Sequence, residues 1–312
     1  MNVKHSLSLF VNNINLSFKA LLYNLIVLVL FTTFIVLVVR YNLSVITSSA
    51  QAADLVSSIT NSFTKFAGGD MSFIADVTDR FTEFFAFVLD NLSSVIWAIV
   101  LGSLIFYVEN VVLGVCNYTL TKVVDAHMAT ISKLGFIEAL ISSLKSSLPF
   151  EAIFTLVKAV VFLLIGGVSF IFVALTIPYL TVFSLIIGIW LTIFLVSLFY
   201  TLTALFRPSL INGSGLKAAF KARVEGKQFW LNLASYVLSV TVAIVLNVGF
   251  FFTTFGAGFI ISLSLTGLYF ACLKLVIFYN INNRKYFIDY DNIVTPKGLR
   301  EDKELLEKVD VE

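Results

Sequence analysis

The chain has 312 residues, of which 59% are hydrophobic and only 13% charged, against about 25% charged in soluble domains. Its mean hydropathy is +0.96, which excludes an ordinary soluble globular protein and points to the membrane class. The formal net charge is only +2, so no overall excess of either sign announces a nucleic-acid partner.

Residues 1–19 carry Lys4, His5 and Lys19 and no acid. Leu7, Val11, Ile14 and Phe18 recur at helical spacing and form an apolar stripe. An apolar run from Ala20 to Val39 follows, long enough to cross a hydrocarbon core of about 30 Å. No small-residue cleavage site comes soon after it, so it reads as a retained span rather than a removed signal. Arg40 ends it.

Residues 41–92 are the largest polar segment, with the acids Asp54, Asp70, Asp76, Asp79, Glu83 and Asp90. Over 71–90, Phe73, Ile74, Val77, Phe81, Phe84, Phe85 and Val88 share one helical face while most acids take the other. Gly68-Gly69 separates this stretch from a milder amphipathic one at roughly 43–66. The pattern predicts a helical hairpin resting on the membrane or on the bundle, because so many large apolar side chains are costly to leave in water.

A second span is expected at 93–116. A connector with Lys122, Lys133 and Lys145 follows, and within it Ile137, Leu140, Ile141, Leu144 and Leu148 make a further apolar stripe. Spans at 153–176 and 182–205 meet in an uncharged turn at Ile177-Pro178-Tyr179. The connector 206–228 holds Arg207, Lys217, Lys221, Arg223 and Lys227 against the single acid Glu225. In it, Leu216, Ala219, Phe220 and Val224 recur at helical spacing. That predicts a basic amphipathic helix over 215–227, lying among headgroups. Phe229 and Trp230 sit where an interfacial aromatic belt belongs. The last spans, 229–250 and 259–279, are joined by Thr253-Thr254-Phe255-Gly256-Ala257-Gly258. Lys274 lies near the end of the sixth and is expected to snorkel its ammonium to the headgroups.

The lead-in helix and apolar hairpin recur at a spacing of about 80 positions, with Gly135 matching Gly215 and Ala139 matching Ala219, and the N-terminus supplies a fainter third copy. The predicted fold is therefore all-α: a polytopic integral membrane protein with six transmembrane helices in three amphipathic-helix-plus-hairpin units. The membrane domain covers 1–280. The tail 281–312 is polar. In it Lys285–Tyr290 reads as a short strand, Asp291-Asn292 as a turn into Ile293-Val294, and Leu299–Val309 as a charged helix; the other reading of the tail is a disordered cytoplasmic end.

Lys and Arg concentrate in the N-terminus, 117–152, 206–228 and the tail, leaving Arg40, Lys65 and Arg80 on the other side. The positive-inside rule then puts both termini in the cytoplasm and the 41–92 segment outside. Frequent Phe, Ile and Asn with few Pro and Trp fit an AT-rich bacterial genome, so the expected location is the bacterial cytoplasmic membrane.

Few residues offer chemistry. Glu109 lies inside span two, about 12 Å from its cytoplasmic end at about 1.5 Å per residue, and Lys158 lies at similar depth in span three. Ionised groups at such depth need partners, so Glu109 and Lys158 are expected to pair, with Asn110 adding hydrogen bonds. A register-fixing role, a proton or substrate site, and independent snorkelling of each side chain are the three readings of these residues. Asn247 reads as interhelical glue, and Gly166-Gly167, Gly188 and Gly267 as sites of close helix approach. A transporter reading would make Gly166-Gly167 a helix break. His127 and Asp125, two apart on one helix, do not face each other. Lys217, Lys221, Arg223 and Lys227 are candidates for anionic-lipid contact. Cys116 and Cys272 make neither a disulfide framework nor a metal site, and the sequence contains no catalytic, cofactor or metal motif.

Gly215-Leu-Lys-Ala-Ala-Phe220, the aromatic entry Phe229-Trp230 and the apolar hairpin after it resemble a broad group of uncharacterised bacterial six-helix membrane proteins. That group is similar to the membrane domain fused to some glycerophosphodiester phosphodiesterases. The resemblance covers roughly 130–280. It implies the six-helix fold and transfers no functional residue, since the catalytic domain has no counterpart here. The 41–92 segment and the acid-rich tail depart from the group.

The leading functional expectation is a non-enzymatic scaffold, assembly factor or lipid-interacting accessory protein. Its expected partners are membrane lipids, and a protein docked through 41–92 or the tail. The alternative is a transporter or permease subunit for a small molecule or lipid. A membrane enzyme comes third, and nucleic acid is not an expected partner.

Overall fold

The computed structural model describes residues 2–67, 73–254, 256, 258–289 and 292–296. They form α1 (Asn2–Asn12), α2 (Asn15–Asn42), α3 (Ser44–Thr47), α4 (Ala50–Ala67), α5 (Phe73–Asp90), α6 (Leu92–Thr130), α7 (Phe136–Leu180), α8 (Val182–Leu202), α9 (Phe206–Ile211), α10 (Leu216–Ala219), α11 (Gly226–Thr253), α12 (Gly258–Ile281), β1 (Tyr286–Phe287) and β2 (Ile293–Val294). Six helical segments are long and apolar enough to cross a membrane, and the protein is an all-helical polytopic membrane protein. The chain divides into two units, Met1–Ile26 with Val111–Glu312, and Val27–Asn110.

The smaller unit contains the α4–α5 hairpin. Leu55 and Ser58 are buried within it. The Ser58 hydroxyl donates to Asp76 Oδ2 at 3.2 Å, and Lys65 approaches the same carboxylate at 3.8 Å. The apolar face expected on α5 splits in two. Val77, Phe84 and Val88 are half-buried, whereas Ile74, Phe81 and Phe85 are exposed. Gly68-Gly69 and the Phe73 side chain fall outside the described residues.

In the larger unit, α12 lies at the centre. Leu268, Cys272, Leu273, Leu275, Val276 and Ile277 are all fully buried, the all-round burial that an all-round apolar helix predicts. Leu9, Leu16 and Ala20 from the N-terminal helices and Leu120, Val124 and Met128 from α6 join it in one core. A second core is aromatic, built from Tyr118, Phe150, Phe154, Ile165 and Phe199.

The apolar stripes face outward. Leu7, Val11 and Phe18 on α1 and α2, and Ile137 and Ile141 on α7, are exposed. The faces opposite them turn in, carrying Ser6 and Ser17, then Ala139, Ser143, Ser147 and Glu151. Lipid rewards apolar groups outside a bundle, and small hydroxyl residues let backbones approach inside it. Ser6, Ser17 and Ser143 satisfy their hydroxyls on carbonyls of their own chain three or four residues back.

Gly135 and Gly215 cap α7 and α10 with the same extended backbone, φ −66°, ψ 140° and φ −64°, ψ 156°. The alanines four residues on, Ala139 and Ala219, are both fully buried. The lead-in elements otherwise differ. In the second unit, lead-in and span fuse into the 45-residue α7, which continues through Pro149 and Pro178. The expected turn at Ile177-Pro178-Tyr179 is therefore displaced to Thr181, at φ 48°.

The basic helix expected over 215–227 is cut to the single turn Leu216–Ala219. Beyond it the chain extends through Glu225, at φ −118°, ψ 162°, and enters α11 at Gly226 with φ 60°, a conformation glycine adopts without strain. This path buries Ala219 and Val224 and stacks Phe220 on Phe150 at 5.0 Å. Tertiary packing of three apolar anchors outweighs the helical propensity of a charged stretch.

The tail forms the expected strand pair, with Tyr286 opposite Val294 and Phe287 opposite Ile293. It packs back on the bundle. Tyr286 is fully buried, and the Asn12 amide donates to the Ile288 carbonyl at 3.1 Å. The helix expected over Leu299–Val309 falls outside the described residues.

Candidate functional site

Two elements bring opposite charges together inside the larger unit. On α7, the inward row Ala139, Ser143, Ser147 ends one turn later at Glu151, whose side chain is 1% exposed. On α9, Arg207 follows the buried Leu205 and precedes Pro208, and its side chain is 12% exposed. Arg207 Nε donates to Glu151 Oε1 at 2.6 Å and Nη2 donates to Oε2 at 2.8 Å, the paired geometry in which a planar guanidinium best meets a carboxylate. The guanidinium also lies over the Phe154 ring, 5.2 Å from its centroid.

The surroundings are shaped for this pair. Gly114 on α6 faces Glu151, and a Cβ there would stand 2.5 Å from Oε2. Phe220, Phe150, Phe154 and Phe199 stack in a row beside it, with successive centroids 5.0, 5.6 and 6.1 Å apart. Rings on this scale keep water out and strengthen the electrostatics within.

A third charge sits nearby. Lys274 on α12 is 4% exposed, so it does not reach outward as its place near a helix end suggests. Its Nζ lies over the Tyr200 ring, 5.5 Å from the centroid. Tyr200, Tyr236 and Phe270 stack on one another with centroids 5.4–6.3 Å apart. Among the described residues, ion pairs join Arg207 to Glu151, Lys65 to Asp76 and Arg80 to Glu83. Lys274 has no carboxylate partner among them.

A second polar network ties the ends of the helices. Asp125 Oδ1 accepts from the Tyr279 hydroxyl at 3.1 Å and from the Asn212 amide at 3.4 Å. Arg284 donates to Asn212 Oδ1 at 2.7 Å. His127 turns instead to the Ile288 carbonyl at 3.4 Å. The amides of Asn2, Asn232 and Asn280 link α1, α11 and α12 at 2.7 and 2.9 Å.

The residues singled out from the sequence are distributed as follows. Glu109 and Asn110 end the smaller unit, and Lys158 belongs to the larger. The Asn110 amide donates to the Phe106 carbonyl of its own helix at 2.8 Å, and Lys158 lies 5.7 Å from the Phe162 centroid. Lys217, Lys221, Arg223 and Lys227 are all exposed. Asn247 accepts from Ser262 across α11 and α12. Gly188 packs against Val173 and Gly267 against Asn117, whereas Gly166 and Gly167 meet open space on an unbroken α7.

The pairing of Glu151 with Arg207 was not evident from the sequence, because both residues read as connector charges at the mouths of spans. The signal present is the four-residue spacing of the small side chains Ala139, Ser143 and Ser147, which leads to Glu151. Comparison with protein-family models, curated proteins and solved structures finds no match to this chain.

Proposed function

We propose that this protein is a non-catalytic accessory component of a bacterial cytoplasmic membrane, a scaffold or assembly factor that works through lipid and protein contacts. The observation that supports this reading is the closed Glu151–Arg207 pair. Glu151 and Arg207 bond each other through two hydrogen bonds beside a row of phenylalanines, and Glu151 sits on an α7 that runs unbroken through Gly166-Gly167. A transporter of the broken-helix kind needs unwound backbone beside its substrate.

In this reading both termini are cytoplasmic and the α4–α5 hairpin is outside. Lys217, Lys221, Arg223 and Lys227 form an exposed cationic rim that meets anionic headgroups, each base near such a surface contributing about 1 kcal/mol. The likeness of 130–280 to the membrane domain fused to some glycerophosphodiester phosphodiesterases belongs to the same proposal.

The test is reconstitution into liposomes with two readouts. Anionic phospholipid should co-purify in preference to phosphatidylcholine and fall away when the four bases are changed to Gln. A screen of gradient-driven currents across the same vesicles should stay at the protein-free level. Saturable flux of any solute would make the protein a transporter and overturn the proposal. Topology is read in parallel from Ser57→Cys and Lys221→Cys, since the native Cys116 and Cys272 are 1% and 0% exposed. Labelling of position 221 from outside intact cells would reverse the orientation.

A further inference from the structure

We propose that the α4–α5 hairpin is a dimerisation element, whose apolar side packs against the same side of the hairpin in a second copy of the chain. The inference concerns the smaller unit alone. It goes beyond the accessory-protein reading and does not depend on it.

The register of the two helices carries the argument. On α4 the inward residues are Leu55 and Ser58, both buried, and Ser62, half-buried. Each is followed in sequence by an exposed apolar residue: Val56, Ile59 and Phe63 are 63%, 42% and 72% exposed. On α5 the half-buried Arg80, Phe84 and Val88 are followed in the same way by Phe81, Phe85 and Leu89, which are 57%, 52% and 51% exposed. One residue is about 100° of turn in an α-helix. The two helices form a hairpin with only residues 68–72 between them, so they run antiparallel. The same rotation away from a shared contact then carries both apolar stripes to one side of the hairpin.

The residues that precede the inward ones point the other way. Asp54 precedes Leu55, Asp79 precedes Arg80, and Glu83 precedes Phe84. Asp76, which precedes Val77, accepts from the Ser58 hydroxyl at 3.2 Å and meets Lys65 at 3.8 Å. Those contacts bridge the two helices on the acidic side. The hairpin is therefore a single layer of two helices, apolar on one side and acidic on the other. Within the apolar side the rings of Phe81 and Phe85 stack with centroids 6.3 Å apart.

Area points to a second copy. A single layer with an apolar side needs another layer to cover it. The six stripe residues expose on the order of 700 Å² together, with aromatic side chains of about 150–250 Å² contributing half of them. The largest apolar patch on a soluble monomer is about 300–600 Å², whereas each partner in a stable complex gives up about 800 Å². Two hairpins set apolar side to apolar side make a four-helix bundle around one core, with the acids left in water. Charge argues against the membrane surface as the occupant. Helices that lie among headgroups border the apolar face with Lys and Arg. Here the only two bases of α4 and α5, Lys65 and Arg80, are engaged by Asp76 and Glu83 at 3.8 and 3.1 Å. Every other charged residue of the two helices is an acid, which anionic headgroups repel.

The experiment is thiol cross-linking of the full chain in native membranes, where Cys116 and Cys272, 1% and 0% exposed, stay out of reach. Phe63→Cys and Phe85→Cys, each alone, should give a cross-linked dimer with a short bis-maleimide, and Glu83→Cys on the acidic side should not. Phe81→Asp should lower the yield at position 63 by at least about tenfold, the scale of losing one central anchor of an interface, whereas Asp79→Asn should leave it unchanged. Phe81→Ala takes the place of Phe81→Asp if the added charge prevents folding. No cross-link at either 63 or 85, an equal yield from position 83, or an unchanged yield in the folded Phe81 variant overturns the proposal. Strong quenching of a fluorophore on position 85 by a lipid-soluble quencher, without cross-linking, also overturns it and gives this side of the hairpin to the bilayer. None of these outcomes bears on lipid co-purification or on the vesicle currents, so the two readings fall separately.

Discussion

Removing Arg207 tests whether the buried pair holds the larger unit together. Arg207→Met keeps the length and much of the volume of the stem, so the Phe154 contact loses its charge but not its packing. Glu151 is then left 1% exposed with both of its charge-assisted bonds, 2.6 and 2.8 Å long, gone. Each such bond is worth about 1.5–3 kcal/mol. Breaking one side of a buried pair costs about 3–5 kcal/mol in total, because the carboxylate cannot regain water. Reversible unfolding in mixed micelles, followed by far-ultraviolet circular dichroism, measures that loss. Glu151→Gln should also destabilise, because the Arg207 guanidinium, 12% exposed, is left without a counter-charge, although the amide oxygen can still accept one of its hydrogen bonds. The double variant Glu151→Met/Arg207→Met should recover most of the loss, because two apolar side chains leave no orphan. A double variant whose loss equals the sum of the single losses, or an Arg207→Met loss under about 1 kcal/mol, would refute the reasoning by showing that the pair is not coupled.

The remaining predictions follow from close contacts and from one titrating group. Gly114→Ala places a methyl 2.5 Å from Glu151 Oε2 and should destabilise by about 1–3 kcal/mol in the same unfolding assay. Combined with Glu151→Ala, its cost should largely vanish. Gly188→Ala drives a methyl into Val173 and should destabilise similarly, whereas Gly166→Ala meets open space and should be neutral or gain about 0.5–1 kcal/mol from helix propensity. Equal effects of the two would mean that α7 and α8 do not approach at Gly188. His5 Nδ1 meets the Tyr286 hydroxyl at 2.7 Å. Burial first, and then nearby positive charge including Lys4, holds the imidazole below its ordinary 6.5, while burial pushes the Tyr286 hydroxyl up to about 12. Tyr286 therefore stays protonated and shares a hydrogen bond with neutral His5, whose direction is set by the imidazole tautomer. The unfolded chain takes up the proton first as pH falls, so the contact contributes fully above about pH 6.5 and is lost as pH drops below that value. Hydrogen exchange over 282–296 should quicken on acidification through that window in the wild type and lose this pH dependence in His5→Phe.

The sequence made the spans legible because lipid imposes one simple condition, unbroken apolar length, and six stretches meet it. It also made the β1–β2 hairpin legible, since Asp291-Asn292 marks a turn between short β-prone runs. The inward faces were harder to read. In a soluble helix the apolar stripe points to the core. Here Leu7 and Val11 point away, and Ser6, Ser143 and Ser147 point in. The periodicity locates a face but carries no sign until the solvent is known. The fate of 215–227 shows a different limit. Leu216, Ala219, Phe220 and Val224 recur at helical spacing, and Ala219 and Val224 are buried, but by a bent path that stacks Phe220 on Phe150, far away in sequence.

The charge pair exposes the deepest reason that a site of this kind stays hidden. Glu151 and Arg207 are 56 residues apart, and each lies at the edge of an apolar run, where a charge ordinarily sits in water. Nothing local distinguishes them from Lys145 or Lys217, which are solvated. What decides is the third dimension. Gly114 leaves a hollow on α6, Pro149 is carried within α7 without breaking it, and the stacked phenylalanines close the sides. A glycine, an acid and an arginine from three separate helices acquire meaning only together. The same logic reaches Lys274. Position near a helix end predicts snorkelling, yet α12 is enclosed on all sides, so its last turns have no free surface along which a lysine can escape.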